Sequence, residues 1–258
     1  MKFVYGDRQR IFINTTLGCH AECKYCYLPD IQTDSEILST TSEAVINLLK
    51  SDSCFVKGEN GTVISIGCYS ECMDRDNEPK TKEILEYLMP LGNYIQLATK
   101  QNLSDAIINT IIRKRSFEQQ VSVYISLPTI SQIPNLEKGT ASFTARIENI
   151  RKCINNSIPV ALYIKPFLEQ ITVQDKEIYF KILRNYGIPV VIGNYLSIKN
   201  SMSKADVGEA CLYEQKESEQ YEKFFSYCKK DFQSYRHSVE LIDCFRKMRE
   251  DINGRGYY

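Results

Sequence analysis

One unit repeats along this chain: a short run of β-branched residues, then a stretch with helical spacing. The β-branched runs fall at 10–16 (RIFINTT), 62–67 (TVISIG), 94–99 (YIQLAT), 121–127 (VSVYISL), 159–164 (PVALYI) and 189–196 (PVVIGNYL). A helix is expected over 42–50, with Thr41 or Ser42 available as its cap. Further helices are marked by Ile84, Leu85, Leu88 and Met89, and by Ile107, Ile108, Ile111 and Ile112. Phe143, Ile147, Ile150 and Ile154 form an apolar stripe at i, i+4, i+7 and i+11. Ile178, Ile182, Leu183 and Tyr186 mark another helix, with Gly187 as its stop.

Such connections are long enough to return the chain for parallel pairing, which puts helices on the outside of the sheet. Six units predict an α/β fold, a partial (β/α)6 barrel with parallel strands. In such a fold the site lies at the carboxyl ends of the strands. Residues 1–197 are expected to form this core. Residues 198–258 are expected to form a C-terminal helical extension packed on it, with helices near 217–228 and 238–250. The second carries Leu241, Phe245, Met248 and Ile252 on one face.

Of 258 residues, 43% are hydrophobic and 25% charged, so disorder, collagen and coiled-coil rods are excluded. No apolar run approaches membrane-spanning length, and the first ten residues, MKFVYGDRQR, contain no apolar signal core. A cytoplasmic protein with no membrane partner is expected. The 32 basic side chains balance 32 acidic ones, which removes the simplest argument for a nucleic-acid binder but leaves room for a local basic groove. Ten cysteines in a reducing compartment point away from disulfides.

Three of those cysteines stand as Cys-x3-Cys-x2-Cys: Cys19, Cys23 and Cys26, directly after the first strand. Thiolates bind soft metals and iron–sulfur clusters, and close spacing in one loop lets three converge. A structural zinc loop is the alternative, with His20 or a remote cysteine as fourth ligand. It would ordinarily show a second Cys or His pair, and the chain has only His20 and His237 as histidines. Three thiolates on a four-iron cubane leave one iron open to another ligand.

The spacing, with Tyr25 just before the third cysteine, resembles the radical SAM superfamily. The resemblance implies a [4Fe–4S] cluster held by Cys19, Cys23 and Cys26, with S-adenosylmethionine (SAM) on the fourth iron. It also implies reductive cleavage of SAM to a 5′-deoxyadenosyl radical that abstracts hydrogen from substrate. A flavodoxin- or ferredoxin-type reductant would supply the electron. Candidate SAM contacts follow the next strands. Ser70 and Glu71 stand after the second strand, Lys100 after the third and Ser126 at the end of the fourth, with Arg146 on the helix beyond. A carboxylate and a hydroxyl accept from the SAM ammonium, whereas Lys100 and Arg146 suit its carboxylate.

The order of segments is similar to the spore photoproduct lyase branch. The matching elements are Gly18 to Leu28, Cys68 and Ser70 with the acidic Glu71, Thr99-Lys100, Ser126-Leu127, and then Glu137, Gly139, Thr140 and Arg146. That resemblance implies nucleic-acid lesion repair, with Cys68 as hydrogen donor and Tyr25 and Tyr27 assisting beside the cluster. No hairpin rich in basic residues accompanies it. A peptide, nucleotide or RNA base therefore stands as an alternative substrate, and a non-catalytic iron–sulfur or zinc sensor as an alternative class. Cys54, Cys72, Cys153, Cys211, Cys228 and Cys244 read as bystanders. A second cluster would require the tail cysteines to converge.

Overall fold

The computed structural model describes residues 1–26, 28, 36–193, 195–196 and 218–254. Tyr27 and Cys211 lie outside the described residues. The chain opens with strands β1 (Val4–Gly6), β2 (Arg10–Ile13), β3 (Thr16–Leu17) and β4 (Leu38–Ser39), then helix α1 (Ser42–Ser51). Alternation follows: β5 (Val63–Ile66), α2 (Glu78–Leu88), β6 (Ile95–Thr99), α3 (Asp105–Lys114) and β7 (Val121–Ser126). Next come α4 (Ile133–Leu136), α5 (Phe143–Asn155), β8 (Val160–Ile164), β9 (Phe167–Leu168), α6 (Lys176–Tyr186), β10 (Val190–Ile192) and β11 (Tyr195–Leu196). The C-terminal part holds α7 (Glu219–Asp231), β12 (Ser234–Tyr235) and α8 (Ser238–Gly254).

The main sheet runs β1-β2-β5-β6-β7-β8-β10-β12. Every neighbouring pair is parallel except β1–β2. The six expected strands are thus β2, β5, β6, β7, β8 and β10 in sequence order, as an unbroken parallel partial barrel requires.

Period-two alternation divides each strand between two environments. Ile13, Ile64, Leu97, Val123, Leu162 and Val190 fall on one face and join the core beneath the helices. That core takes Val45 and Leu49 from α1, Ile84 and Leu88 from α2, and Ile107 and Ile111 from α3. The other face carries Ser65, Gln96, Tyr124 and Tyr163. The sheet is therefore apolar toward its helices and polar toward its concave interior.

Local signals work as expected. Thr41 is the cap of α1, its hydroxyl accepting from Ala44 N. Gly187 ends α6 with φ +61°, its N–H donating to Leu183 O at 2.9 Å. The stripe on α5 departs at its end. Ile154 is 40% exposed, and the fully buried Cys153 takes its place. The chain turns there toward β8, with Ile158 N donating to Cys153 O at 2.9 Å.

The C-terminal part does more than add helices. Its two-residue strand β12 extends the sheet in parallel beyond β10. Leu241 of α8 then packs with Tyr124, Ala161 and Val191 on the concave face. A strand that short carries no readable alternation, so its place in the sheet is set by packing rather than by local pattern.

Candidate functional site

A cavity of about 420 Å³ opens at the carboxyl ends of the parallel strands and runs into the concave interior. The thiols of Cys19, Cys23, Cys26 and Cys68 all border it. Ser70, Glu71, Lys100 and Ser126 border it too, as does the ring of Tyr25. Of the expected cofactor contacts, Arg146 alone stands outside the lining.

The cysteine loop is held by backbone contacts to two other segments. Gly18, at φ +110°, donates its N–H to Tyr69 O at 3.1 Å. Lys24 N donates to Leu136 O at 2.9 Å, and Gly139 N donates to Ala21 O at 3.1 Å. A Cβ at residue 139 would stand 2.7 Å from Ala21 backbone atoms, so only glycine permits this approach. Ala21 N donates to Cys19 Sγ at 3.4 Å. Among the described residues, no three His, Cys, Asp or Glu side chains are gathered tightly enough to hold a single ion. The three thiols instead border a shared space.

Burial pushes the Cys19 thiol up, and pushes Cys23 up to about 12 against the opposing pull of Lys100. These two metal-free thiols are therefore protonated at neutral pH, and metal binding must displace their protons. Burial alone would lower the Lys100 ammonium, but Cys23, Glu137 and Glu71 together raise it above its ordinary value. Lys100 Nζ also lies 5.8 Å from the Tyr25 ring centre. A fixed positive charge thus faces the second cysteine.

Glu71 and Cys68 sit in the loop after β5. Gly67 opens that loop at φ +87°, where a Cβ would meet Cys72 Sγ at 2.9 Å. Asn14 Oδ1 accepts from Cys68 N at 3.1 Å and from Tyr69 N at 2.7 Å. Glu71 is buried, yet its oxygens accept from Met73 N at 3.1 Å, Thr99 Oγ1 at 2.5 Å and Lys100 N at 2.8 Å. Burial still holds its carboxyl above the usual range, with these bonds opposing. Glu71 therefore ties the β5 loop to the end of β6 as well as facing the cavity.

Arg146 is fully buried beneath this layer. Its Nη2 pairs with Glu137 Oε2 at 2.5 Å and meets Thr140 Oγ1. Its Nη1 donates to Ser126 O at 2.8 Å and its Nε to Ala141 O at 3.0 Å. The Tyr25 hydroxyl donates to the other oxygen of Glu137. Burial, with Glu137 next, pushes the Tyr25 phenol well above its ordinary value.

Two further residues reach the site without a sequence signal that singled them out, and a third, Glu137, stood in the sequence only as part of a matched segment. Asn14 is one. Tyr5, on the antiparallel strand, lies with its hydroxyl against the side chains of Cys68 and Tyr69, and burial followed by Cys68 raises its phenol pKa. Glu137 is the third; its role as joint anchor for Tyr25 and Arg146 depends on a separation of 112 residues from Tyr25. No local pattern encodes such a distance.

No family model and no curated protein sequence matches the chain. Solved structures do. A variant of spore photoproduct lyase superposes with a TM-score of 0.62 at 15% identity, over 86% of this chain and 74% of that one. Another variant, with bound AdoMet and dinucleoside spore photoproduct, gives 0.54 at 16% identity over 70% of this chain. Streptococcus suis SuiB bound to S-adenosylmethionine gives 0.58 at 12% identity over 88% of this chain. The chain shares the fold of these structures. Its fold resembles spore photoproduct lyase, in agreement with the order of motifs. The chain spans 56% of the AdoMet-bound lyase variant and 50% of SuiB. No helix among the described residues is long and apolar enough to cross a membrane.

Proposed function

We propose that the protein is a radical SAM enzyme. The observation that carries this is the convergence of Cys19, Cys23, Cys26 and Lys100 on one cavity at the carboxyl ends of the strands. Cys19, Cys23 and Cys26 would hold a [4Fe–4S] cluster. Ser70, Glu71, Lys100 and Ser126 would bind SAM, with Lys100 set for a carboxylate. When bound and reduced, that pair of cofactors supplies a 5′-deoxyadenosyl radical for hydrogen abstraction.

The residues of this chain have separate tasks. Lys100 supplies positive charge next to Cys23, which offsets the negative charge that a thiolate-ligated cluster brings. Glu71 fixes the Lys100 backbone by accepting its N–H. Arg146 is a positioning residue: it fixes the Ser126 carbonyl and, through Glu137, the Tyr25 hydroxyl. Cys68 borders the same cavity, so a thiol hydrogen stands available to a substrate radical, as the likeness to spore photoproduct lyase suggests. Nucleic-acid lesion repair is the substrate reading that this thiol favours. A flavodoxin- or ferredoxin-type protein would be the electron donor.

Anaerobic reconstitution tests the proposal. About four irons per chain, a spectral change on adding SAM and release of 5′-deoxyadenosine on reduction are expected. All three should be lost in Cys23→Ala. Iron uptake with no response to SAM would favour the non-catalytic sensor instead.

A further inference from the structure

Below the thiols, the cavity floor is built from polar side chains, where a small barrel interior is ordinarily filled by apolar ones. Arg10 Nε donates to Ser65 Oγ at 2.7 Å, and Ser65 Oγ donates to Gln96 Oε1 at 2.9 Å. Gln96 Nε2 donates to Tyr124 Oη at 2.9 Å and to Ser238 O at 2.9 Å. Tyr124 Oη donates to Ser238 O at 3.1 Å. The start of α8 thus closes the floor, and each link of this chain has its partner.

The exception is the outer edge of the guanidinium. Arg10 stacks at 4.5 Å over the Phe12 ring, a face contact that leaves the edge open. Among the described residues, its terminal nitrogens have no hydrogen-bond or ion-pair acceptor. Lys165 is a second cation on the lining. Its stem lies against Gly193, where a Cβ would stand 3.5 Å from Lys165 Cδ. Its ammonium lies 5.9 Å from the Tyr163 ring centre, and no described carboxylate pairs with it. Glu71 is the one carboxylate among the described lining residues, and its oxygens already accept three hydrogen bonds. Lys100 belongs with the cluster and SAM. Arg10 and Lys165 remain as cations without a counter-ion.

A guanidinium presented to a half-buried cavity focuses field on any anion that enters, and its planar fork matches a carboxylate or phosphate. We propose that Arg10 binds an oxyanion of the substrate, a carboxylate or a phosphate, and so orients it beneath the thiols, with Lys165 adding a second positive charge to the same cavity lining. This rests on the cavity being the reaction chamber of the proposed enzyme. It narrows the substrate to one with an anionic end. Because the floor is closed, that end enters from the carboxyl side of the strands.

The test is calorimetric titration of the reconstituted protein, saturated with SAM, with matched charged and neutral probes. Uridine 5′-monophosphate against uridine reads a phosphate, and N-acetyltyrosine against its amide reads a carboxylate. One charged member is expected to bind on the order of tenfold tighter than its neutral partner, the yield of a charge-assisted hydrogen-bonded pair. Arg10→Gln should abolish the preference, and Arg10→Lys should restore part of it. Lys165→Gln, which leaves the Ser65 bond intact, should weaken it and carries the test if Arg10→Gln does not fold. Iron content and SAM binding check each variant's integrity. Equal binding of charged and neutral members in both pairs, or a preference untouched in Arg10→Gln and Lys165→Gln, overturns the proposal. If the wild type neither holds a cluster nor responds to SAM, the enzyme reading fails separately, and the same titrations on the protein as isolated decide this inference.

Discussion

Arg146 and Glu137 form an ion pair at 2.5 Å with both side chains wholly shielded from solvent. The pair sits where three segments meet: the cysteine loop through Tyr25, the end of β7 through Ser126, and the Thr140–Ala141 turn. Removing one partner strands the other as a buried charge, which costs about 3–5 kcal/mol. Arg146→Met and Glu137→Leu should each lose about that much in urea unfolding. The double variant should recover part of it, because no lone charge remains. Losses below about 1 kcal/mol in both single variants would show the pair to be solvated in solution.

Gly139 gives a sharper handle on the cysteine loop alone. Its replacement by alanine drives a Cβ to 2.7 Å from Ala21 backbone, between Cys19 and Cys23. The residue lies in a turn, away from the sheet core. Gly139→Ala should keep the far-ultraviolet circular dichroism of the wild type while its iron-to-protein ratio after reconstitution falls by half or more. Full iron loading would mean the loop shifts without cost.

Cys153 and Cys228 are both fully buried, and burial pushes each thiol up to about 12. Burial disfavours the thiolate, so the folded thiol stays protonated until the pH reaches that value. At pH 8 the ionised fraction is on the order of 10⁻⁴, and thiolate is the reactive form. Neither cysteine should be labelled by iodoacetamide in the native protein at pH 8, and both should be labelled in urea. Both lie in the apolar core and neither lines the cavity, which removes them as cluster ligands, so iron should stop near four per chain. About eight irons would refute this assignment.

Much of this arrangement was legible in the sequence, for a physical reason. Runs such as VSVYISL state their face by alternation, and Val121, Val123 and Ile125 indeed point to the helices while Tyr124 points inward. The cysteine loop announced itself by spacing, because its three cysteines are close in the chain. What stayed hidden was long-range. Arg146 was expected at SAM from its place on the helix, but its partners Glu137 and Ser126 lie in other segments and hold it beneath the cavity. Arg10 looked like an ordinary first residue of a strand. Only the pairing of β2 with β5 brings it to Ser65 and, through Ser65, to Gln96. Ile154 continued a stripe that the turn after α5 cuts short.

In the proposed reading, Lys100 acts in SAM binding rather than in cluster assembly. Its backbone N–H is fixed by Glu71, whereas its ammonium faces Cys23, Glu137 and the Tyr25 ring. Lys100→Met keeps the backbone bond and the length of the stem but removes the charge. The three thiols remain, so iron content should stay near four per chain. The missing partner for the SAM carboxylate should raise the Kd for SAM about tenfold or more, the yield of one charge-assisted pair. Lys100→Arg should recover only part, since the wider guanidinium must fit between Cys23 and Tyr25. Binding measured by calorimetry on reconstituted protein decides it. An unchanged Kd in Lys100→Met would place the SAM carboxylate elsewhere on the lining, with Lys165 the next cation to test.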